Sequence, residues 1–278
     1  MTHSERLNPS FASPRPATLD PLGKARDCLI VALDVPNAQA ASGLVDRLEN
    51  SCKWFKVGLE LFVAAGPDIV QRLVACGYSV FLDLKLHDIP NTVAGAVRSA
   101  ATLGARMITL HAAGGPVMLA AARSALDGVA DAPELLAVTV LTSMDSDQMS
   151  AVGVDRTAGL QVELLARVGV DAGIRGFVCS PKEVASLRAL TGPEGVLVIP
   201  GIRPAGAELG DQKRIATPTE ALRQGASYLV VGRPITAAPN PAEAAEAILN
   251  EMAGALEVRL EDSKTRQKAG LGHASHLI

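Results

Sequence analysis

The chain has 278 residues, 48% of them hydrophobic, with 26 Lys and Arg set against 29 Asp and Glu for a formal charge of −3. That length suits one large α/β domain, since parallel α/β barrels run to about 250 residues as a single unit. The near-neutral balance leaves no electrostatic case for nucleic acid or an anionic membrane surface, so any anionic ligand must be small and locally bound.

Residues 1–24 are polar, carry Pro9, Pro14, Pro16 and Pro21 and lack the apolar core of a signal peptide; they are expected to form a disordered or loosely docked extension. From residue 25 to 256 the chain settles into a rhythm. A short apolar run leads into a polar or glycine-bearing turn, and an alanine-rich helical segment follows. Strands are predicted at 28–33, 53–57, 79–84, 106–110, 135–141, 176–179, 196–199 and 228–231, and helices at 38–49, 67–76, 91–103, 116–129, 157–168, 181–190, 218–224 and from 241 to about 256. Several helices begin near proline, and others end at Gly77, Gly104, Gly169 or Gly225, which suit left-handed caps. Residues 257–278 read as a tail.

Strands that are continuous apolar runs are those of parallel sheets buried on both faces, and eight βα repeats are the number that closes a (β/α)8 barrel of TIM type in one domain. An open doubly wound sheet is the alternative, but it would usually carry fewer strands and a G-x-G-x-x-G loop after the first. Here the first strand runs into Leu33-Asp34-Val35-Pro36. No apolar run approaches the roughly 18 residues of a membrane span, so a soluble cytoplasmic protein is expected. Cys28, Cys52, Cys76 and Cys179 have no C-x-x-C spacing and read as small buried hydrophobes in a reducing compartment. The histidines offer no metal-ligand set, so no metal is expected.

One stretch stands apart. Asp83-Leu84-Lys85-Leu86-His87-Asp88-Ile89-Pro90-Asn91-Thr92 follows the apolar run Tyr78–Leu82. Strand alternation puts Asp83 and Lys85 on one side, and charges at the mouth of an apolar strand are costly to bury unless they neutralise one another. The bland reading is an ion pair that finishes the sheet. Against it, polar residues recur at nearly every strand end, where barrels build their sites: Asp34, Lys56, Asp83 with Lys85 and Asp88, His111, Thr142-Ser143, Ser180, Arg203 and Arg233. The loops after strands seven and eight, Pro200-Gly201-Ile202-Arg203 and Gly232-Arg233, lie where barrels often hold phosphate. Arg233 suits bidentate contact with phosphate oxygens. Arg203 or Gln212 can close from the segment 202–216, which is long enough to act as a lid. His87, Ser143 and Ser180 offer no base–nucleophile pair, and Trp54 and Phe55 are expected to pack in or beside the barrel.

Taken together, Leu33–Pro36, Phe55-Lys56-Val57-Gly58, the 83–92 decad, Val140-Leu141-Thr142-Ser143, Pro200–Arg203, Asp211-Gln212 and Val231-Gly232-Arg233 resemble the orotidine 5′-phosphate decarboxylase family over roughly residues 28–235. The resemblance implies a barrel enzyme that converts orotidine 5′-phosphate to UMP and carbon dioxide in de novo pyrimidine biosynthesis, with neither metal nor cofactor. It implies Lys85 as the proton donor to C6, Asp83 against the substrate carboxylate and Lys56 orienting the network. It also implies a homodimer in which Asp88, Ile89 and Thr92 come from the neighbouring subunit. Asp34 and Asp88 would bind ribose hydroxyls, Thr142 (or its neighbour Ser143) the pyrimidine, and Arg203, Gln212, Gly232 and Arg233 the phosphate side. Two other functions share parts of this pattern. Magnesium-dependent sugar-phosphate decarboxylases or aldolases of the same superfamily share Asp-x-Lys-x-x-Asp but carry an acidic residue where this chain has Lys56. A non-catalytic phosphate-binding barrel would have no reason to keep Asp83, Lys85 and Asp88 together.

Overall fold

In the computed structural model, which describes residues 20–49, 51–204 and 214–271, eight parallel strands pair in sequence order and close on themselves. They are β1 (Leu29–Ala32), β2 (Trp54–Gly58), β3 (Ser79–Leu86), β4 (Met107–His111), β5 (Glu134–Val138), β6 (Gly176–Val178), β7 (Val196–Ile199) and β8 (Tyr228–Val231), with β8 returning to β1. The expected (β/α)8 barrel is thus the observed fold. The helices, in chain order, are α1 (Pro21–Cys28), α2 (Ala38–Leu48), α3 (Leu59–Ala65), α4 (Asp68–Ala75), α5 (Pro90–Ala101) and α6 (Gly115–Ser124). After them come α7 (Ser146–Ala151), α8 (Ala158–Asp171), α9 (Val184–Thr191), α10 (Pro218–Gln224), α11 (Arg233–Thr236) and α12 (Pro241–Leu271).

The apolar strands serve two cores because alternate side chains face opposite ways. Outward residues such as Leu29, Val31, Phe55, Val57, Leu82 and Ile108 pack under the helices. Inward ones, among them Ile30, Ala32, Phe81, Met107, Leu136, Val198 and Val230, fill the barrel. At its base Trp54 meets Tyr228 edge-on, with ring centroids 5.3 Å apart. Phe55, by contrast, lies in the outer core against Tyr78. The inward parity continues upward. Ile30 and Ala32 are followed by Asp34, Phe81 by Asp83, and Met107 by Thr109 and His111, so the rule that fills the barrel also delivers polar groups to its mouth.

β3 departs from regularity there. Leu82 pairs with Ile108 and Leu86 with Leu110, so four steps of one strand oppose two of the next. Within this bulge Lys85 takes φ +51°, a left-handed conformation uncommon for a residue with a Cβ.

Several expected boundaries shift. The helix predicted from 241 to about 256 runs on to Leu271, taking in residues read as a tail. α1 begins at Pro21, inside the expected extension, with the Asp20 carboxylate accepting from Gly23 N, and packs on α12. α3, α7 and α11 were not expected, and β5 ends at Val138, before the predicted 141. Gly169 lies inside α8 and is no cap; a Cβ there would come within 2.8 Å of the Phe177 ring, so its role is close helix–strand packing. Cys52 and Cys179 are buried as expected, but Cys76 is exposed. No helix among the described residues is long and apolar enough to cross a membrane.

Candidate active site

Four charged side chains, Asp34 just beyond β1, Lys56 in β2, and Asp83 and Lys85 in β3, meet at the C-terminal mouth of the barrel. Lys85 Nζ donates to both Asp83 oxygens at 2.8 Å. Lys56 Nζ lies 2.8 Å from Asp34 Oδ1 and 3.7 Å from Asp83 Oδ2. The order is acid, base, acid, base. Asp34 at the outer end is 60% exposed in its side chain, whereas Asp83 in the middle is 11% exposed. A hypothetical Cβ on Gly58 would stand 2.9 Å from Lys56 Nζ and 3.2 Å from Asp34 Oδ1, so this glycine leaves the ion pair its space.

Burial by itself would raise the Asp83 carboxyl. Lys56 and Lys85, with hydrogen bonds from Lys85 and Thr109, outweigh that cost and hold it below the ordinary carboxylate range. Thr109 is the hub of this arrangement. Its Oγ1 donates to Asp83 Oδ1 at 3.0 Å and accepts from the Lys85 backbone N–H at 2.8 Å. Behind it, the His111 and His87 rings lie 5.3 Å apart. Burial first, then His87 and Lys85, lowers the His111 pKa from its usual value.

These residues border a cavity of about 460 Å³, within the usual size of small-ligand sites. Its floor includes Ala32, Phe81, Val138, Val178 and Val230. One wall is Val140, Leu141 and Thr142; Ser143 is not among the described residues that line it. The segments after β7 and β8 add Gly201, Arg203, Gly232 and Arg233 to the lining. Gly201 takes φ +76°, which suits glycine and lets the backbone turn sharply after β7. Arg203 is buried; its Nη1 donates to the Ile202 carbonyl at 2.9 Å and its backbone N–H to Ala216 O at 3.0 Å. The segment expected as a lid therefore has its two ends tied, Ile202 bridging to Ala216.

Of the residues singled out in the sequence, Asp34, Lys56, Asp83, Lys85, Thr142, Arg203, Gly232 and Arg233 come together around this cavity. Asp88 and Ile89 instead line a separate shallow depression with His87, Pro90, Ala113 and Gly114. Thr92 is exposed in the first turn of α5, and Gln212 lies outside the described residues. Sequence reasoning missed Thr109. It also missed the buried pair Arg214 and Glu183, whose Nη1 and Oε1 are 2.7 Å apart behind the Thr142 wall. A threonine in an apolar strand reads as strand-forming, and ion-pair partners 31 positions apart leave no local signal.

A sequence profile described as the orotidine 5′-phosphate decarboxylase / HUMPS family matches residues 27–248. The chain is 53% identical over 234 residues to orotidine 5′-phosphate decarboxylase of Moorella thermoacetica, covering 82% of this chain and 93% of that one. It is 50% identical over 224 residues to the Opitutus terrae protein of the same name, covering 81% and 97% respectively. A solved structure of orotidine 5′-phosphate decarboxylase from Lactobacillus acidophilus superimposes with a TM-score of 0.73 at 39% identity, covering 81% of this chain and 98% of that one.

Proposed function

The chain belongs to the orotidine 5′-phosphate decarboxylase / HUMPS family, and from that premise we propose that it decarboxylates orotidine 5′-phosphate to UMP for pyrimidine biosynthesis, without metal, with Lys85 as proton donor. The observation that carries this reading is the alternating array Asp34–Lys56–Asp83–Lys85, in which a lysine ammonium stands between two carboxylates. A divalent ion would need acidic ligands where Lys56 stands, and the ammonium repels it. That separates the reading from a magnesium-dependent sugar-phosphate enzyme of the same family.

The chemistry follows from the charges. The bond from C6 to the carboxylate breaks, carbon dioxide leaves, and the electron pair stays on C6, where the ring offers no enolate or imine to delocalise it. Lys85 gives C6 a proton from Nζ and is later reprotonated from solvent. Asp83, held ionised by Lys56 and Lys85, faces the substrate carboxylate with like charge, and this repulsion is relieved as carbon dioxide departs. Lys56 and Asp34 reach the ribose.

A cation stabilising the developing carbanion at about 4 Å contributes about 4 kcal/mol at an effective dielectric near 20. The largest enzymatic accelerations need on the order of 20 kcal/mol, so one lysine is not enough. The remainder comes from binding energy at the far end of the substrate, where Gly201, Arg203, Gly232 and Arg233 receive the phosphate and Gln212 assists. Thr142 contacts the pyrimidine.

Asp88, Ile89 and Thr92 act across a homodimer interface. The support is that Ile89 is 67% exposed and Val63 81% exposed, with Leu59 and Val117 also exposed, on three consecutive sectors of the barrel mouth. Apolar residues grouped in this way mark a surface that is covered in an assembly.

The test is turnover of orotidine 5′-phosphate by purified protein in EDTA, followed by loss of the substrate's ultraviolet absorbance. Undiminished UMP formation is expected. Activity lost in EDTA and restored by magnesium would move the reading to the metal-dependent branch.

A further inference from the structure

Arg214 and Glu183 form an ion pair in which both side chains are under one-tenth exposed. Burying two charges is costly, and well-packed apolar residues would often serve stability as well. The arginine's other side-chain contacts lead to the rim of the cavity, and the glutamate's lead to the turn after β6. Arg214 Nη2 donates to Leu141 O at 2.9 Å and Nε reaches Thr142 O at 3.5 Å. Glu183 Oε2 accepts from the Ser180 N–H at 3.0 Å and from the Ser180 hydroxyl. Two residues beyond Arg214, the Ala216 carbonyl accepts from the backbone N–H of Arg203. One guanidinium thus fastens together the segments that follow β5, β6 and β7. The first of these carries Thr142 and the last carries Arg203. The planar fork of arginine makes this three-way contact, which a lysine's point charge does not reproduce.

We propose that Arg214, held by Glu183, is a positioning residue that sets the Thr142 wall of the cavity against the arm bearing Arg203, so that binding at the phosphate end holds the pyrimidine in register with Lys85. The proposal rests on the orotidine 5′-phosphate reading above. Energy from a remote group speeds the chemical step when it is spent on orienting the reacting centre, and Arg214 links the two ends.

The experiment compares kcat/KM for orotidine 5′-phosphate with kcat/KM for orotidine, which lacks the phosphate, in wild type, Arg214→Lys and the double variant Glu183→Gln/Arg214→Met. The double variant leaves no orphaned buried charge, so it guards against loss of folding in a single substitution. The ratio of the two constants cancels any change in the folded fraction. The expected result is a ratio that falls by about ten- to a hundred-fold in both variants. Pure scaffolding would lower both constants together, and a ratio within about fivefold of wild type in either folded variant overturns the proposal. Wild-type protein that leaves orotidine 5′-phosphate unchanged would instead overturn the functional reading beneath it.

Discussion

Thr109 and Asp83 meet between β4 and β3, the threonine hydroxyl donating to the carboxylate that both lysines address. The same hydroxyl accepts the backbone N–H of Lys85. Removing it leaves a buried carboxylate short of one donor and a backbone donor without its acceptor. Thr109→Val is expected to cost about 1–3 kcal/mol of stability and to lower kcat, whereas Thr109→Ser keeps both bonds and stays near wild type. Denaturant unfolding and steady-state kinetics on the two variants measure this. Equal behaviour of valine and serine would remove Thr109 from the array.

Lys85→Ala removes the proposed proton donor but leaves Gly201, Arg203, Gly232 and Arg233 in the cavity lining untouched. Activity should fall by about 10²–10⁴-fold or more, while UMP still binds within a few-fold of wild-type affinity in a calorimetric titration. A variant that retained full turnover would end the assignment of Lys85 as the acid.

Gly58→Ala brings a methyl group to the position where Lys56 meets Asp34. The lysine must shift, and Asp83 loses part of the charge that holds it ionised. The expected outcome is a drop of about 10-fold or more in kcat/KM, since small displacements at a reacting centre are costly, with little change in melting temperature. An unaffected rate would show that the pair has slack.

Mixing Asp88→Ala with Lys85→Ala subunits, each inactive alone, tests the shared site. In a two-fold dimer the mixed species contains one site with both native residues, so equal mixing should restore about a quarter of wild-type activity. No recovery after verified subunit exchange would place Asp88 in its own subunit's chemistry or in none.

His111 supplies a pH dependence with a definite sign. Burial, His87 and Lys85 lower its folded pKa, with Asp83 opposing. The unfolded chain therefore takes up the proton first, and its pKa is about 6.5. The contribution of His111 to stability is complete above that value and is lost as pH falls from it towards the lower folded pKa. Unfolding free energies from about pH 8 to pH 5 should slope more steeply for wild type than for His111→Gln. Parallel curves would mean that His111 titrates alike in both states.

The barrel was legible because parallel strands buried on both faces leave unbroken apolar runs, and Leu29–Ala32 is buried at every position. The charge cluster was legible because Asp83 and Lys85 interrupt such a run. α3 was not, because Leu59 and Val63 point outward and carry no amphipathic pattern directed at the core. Thr109 was hidden by its own suitability for a strand. Glu183 ends the helical turn Pro181–Glu183 and Arg214 lies in the long segment after β7, and their pairing depends on a closure that brings the ends of β5, β6 and β7 together. The extension of α12 past residue 256 went unread because its sequence turns polar there, and charged residues are as good at continuing a helix as at forming a tail.

The bulge in β3 also has a consequence for heredity. Four residues of β3 stand against two of β4, and pairing then resumes. Losing Leu84, or gaining one residue between Asp83 and Lys85, would turn Lys85 to the face opposite Asp83, carrying it away from the mouth. Loops elsewhere in the chain absorb changes of length, whereas the surplus residues of β3 are held between paired positions on either side, Leu82 and Leu86. The fixed spacing from Asp83 to Lys85 is thus enforced twice, once by the chemistry of the pair and once by the counting of steps along a closed sheet.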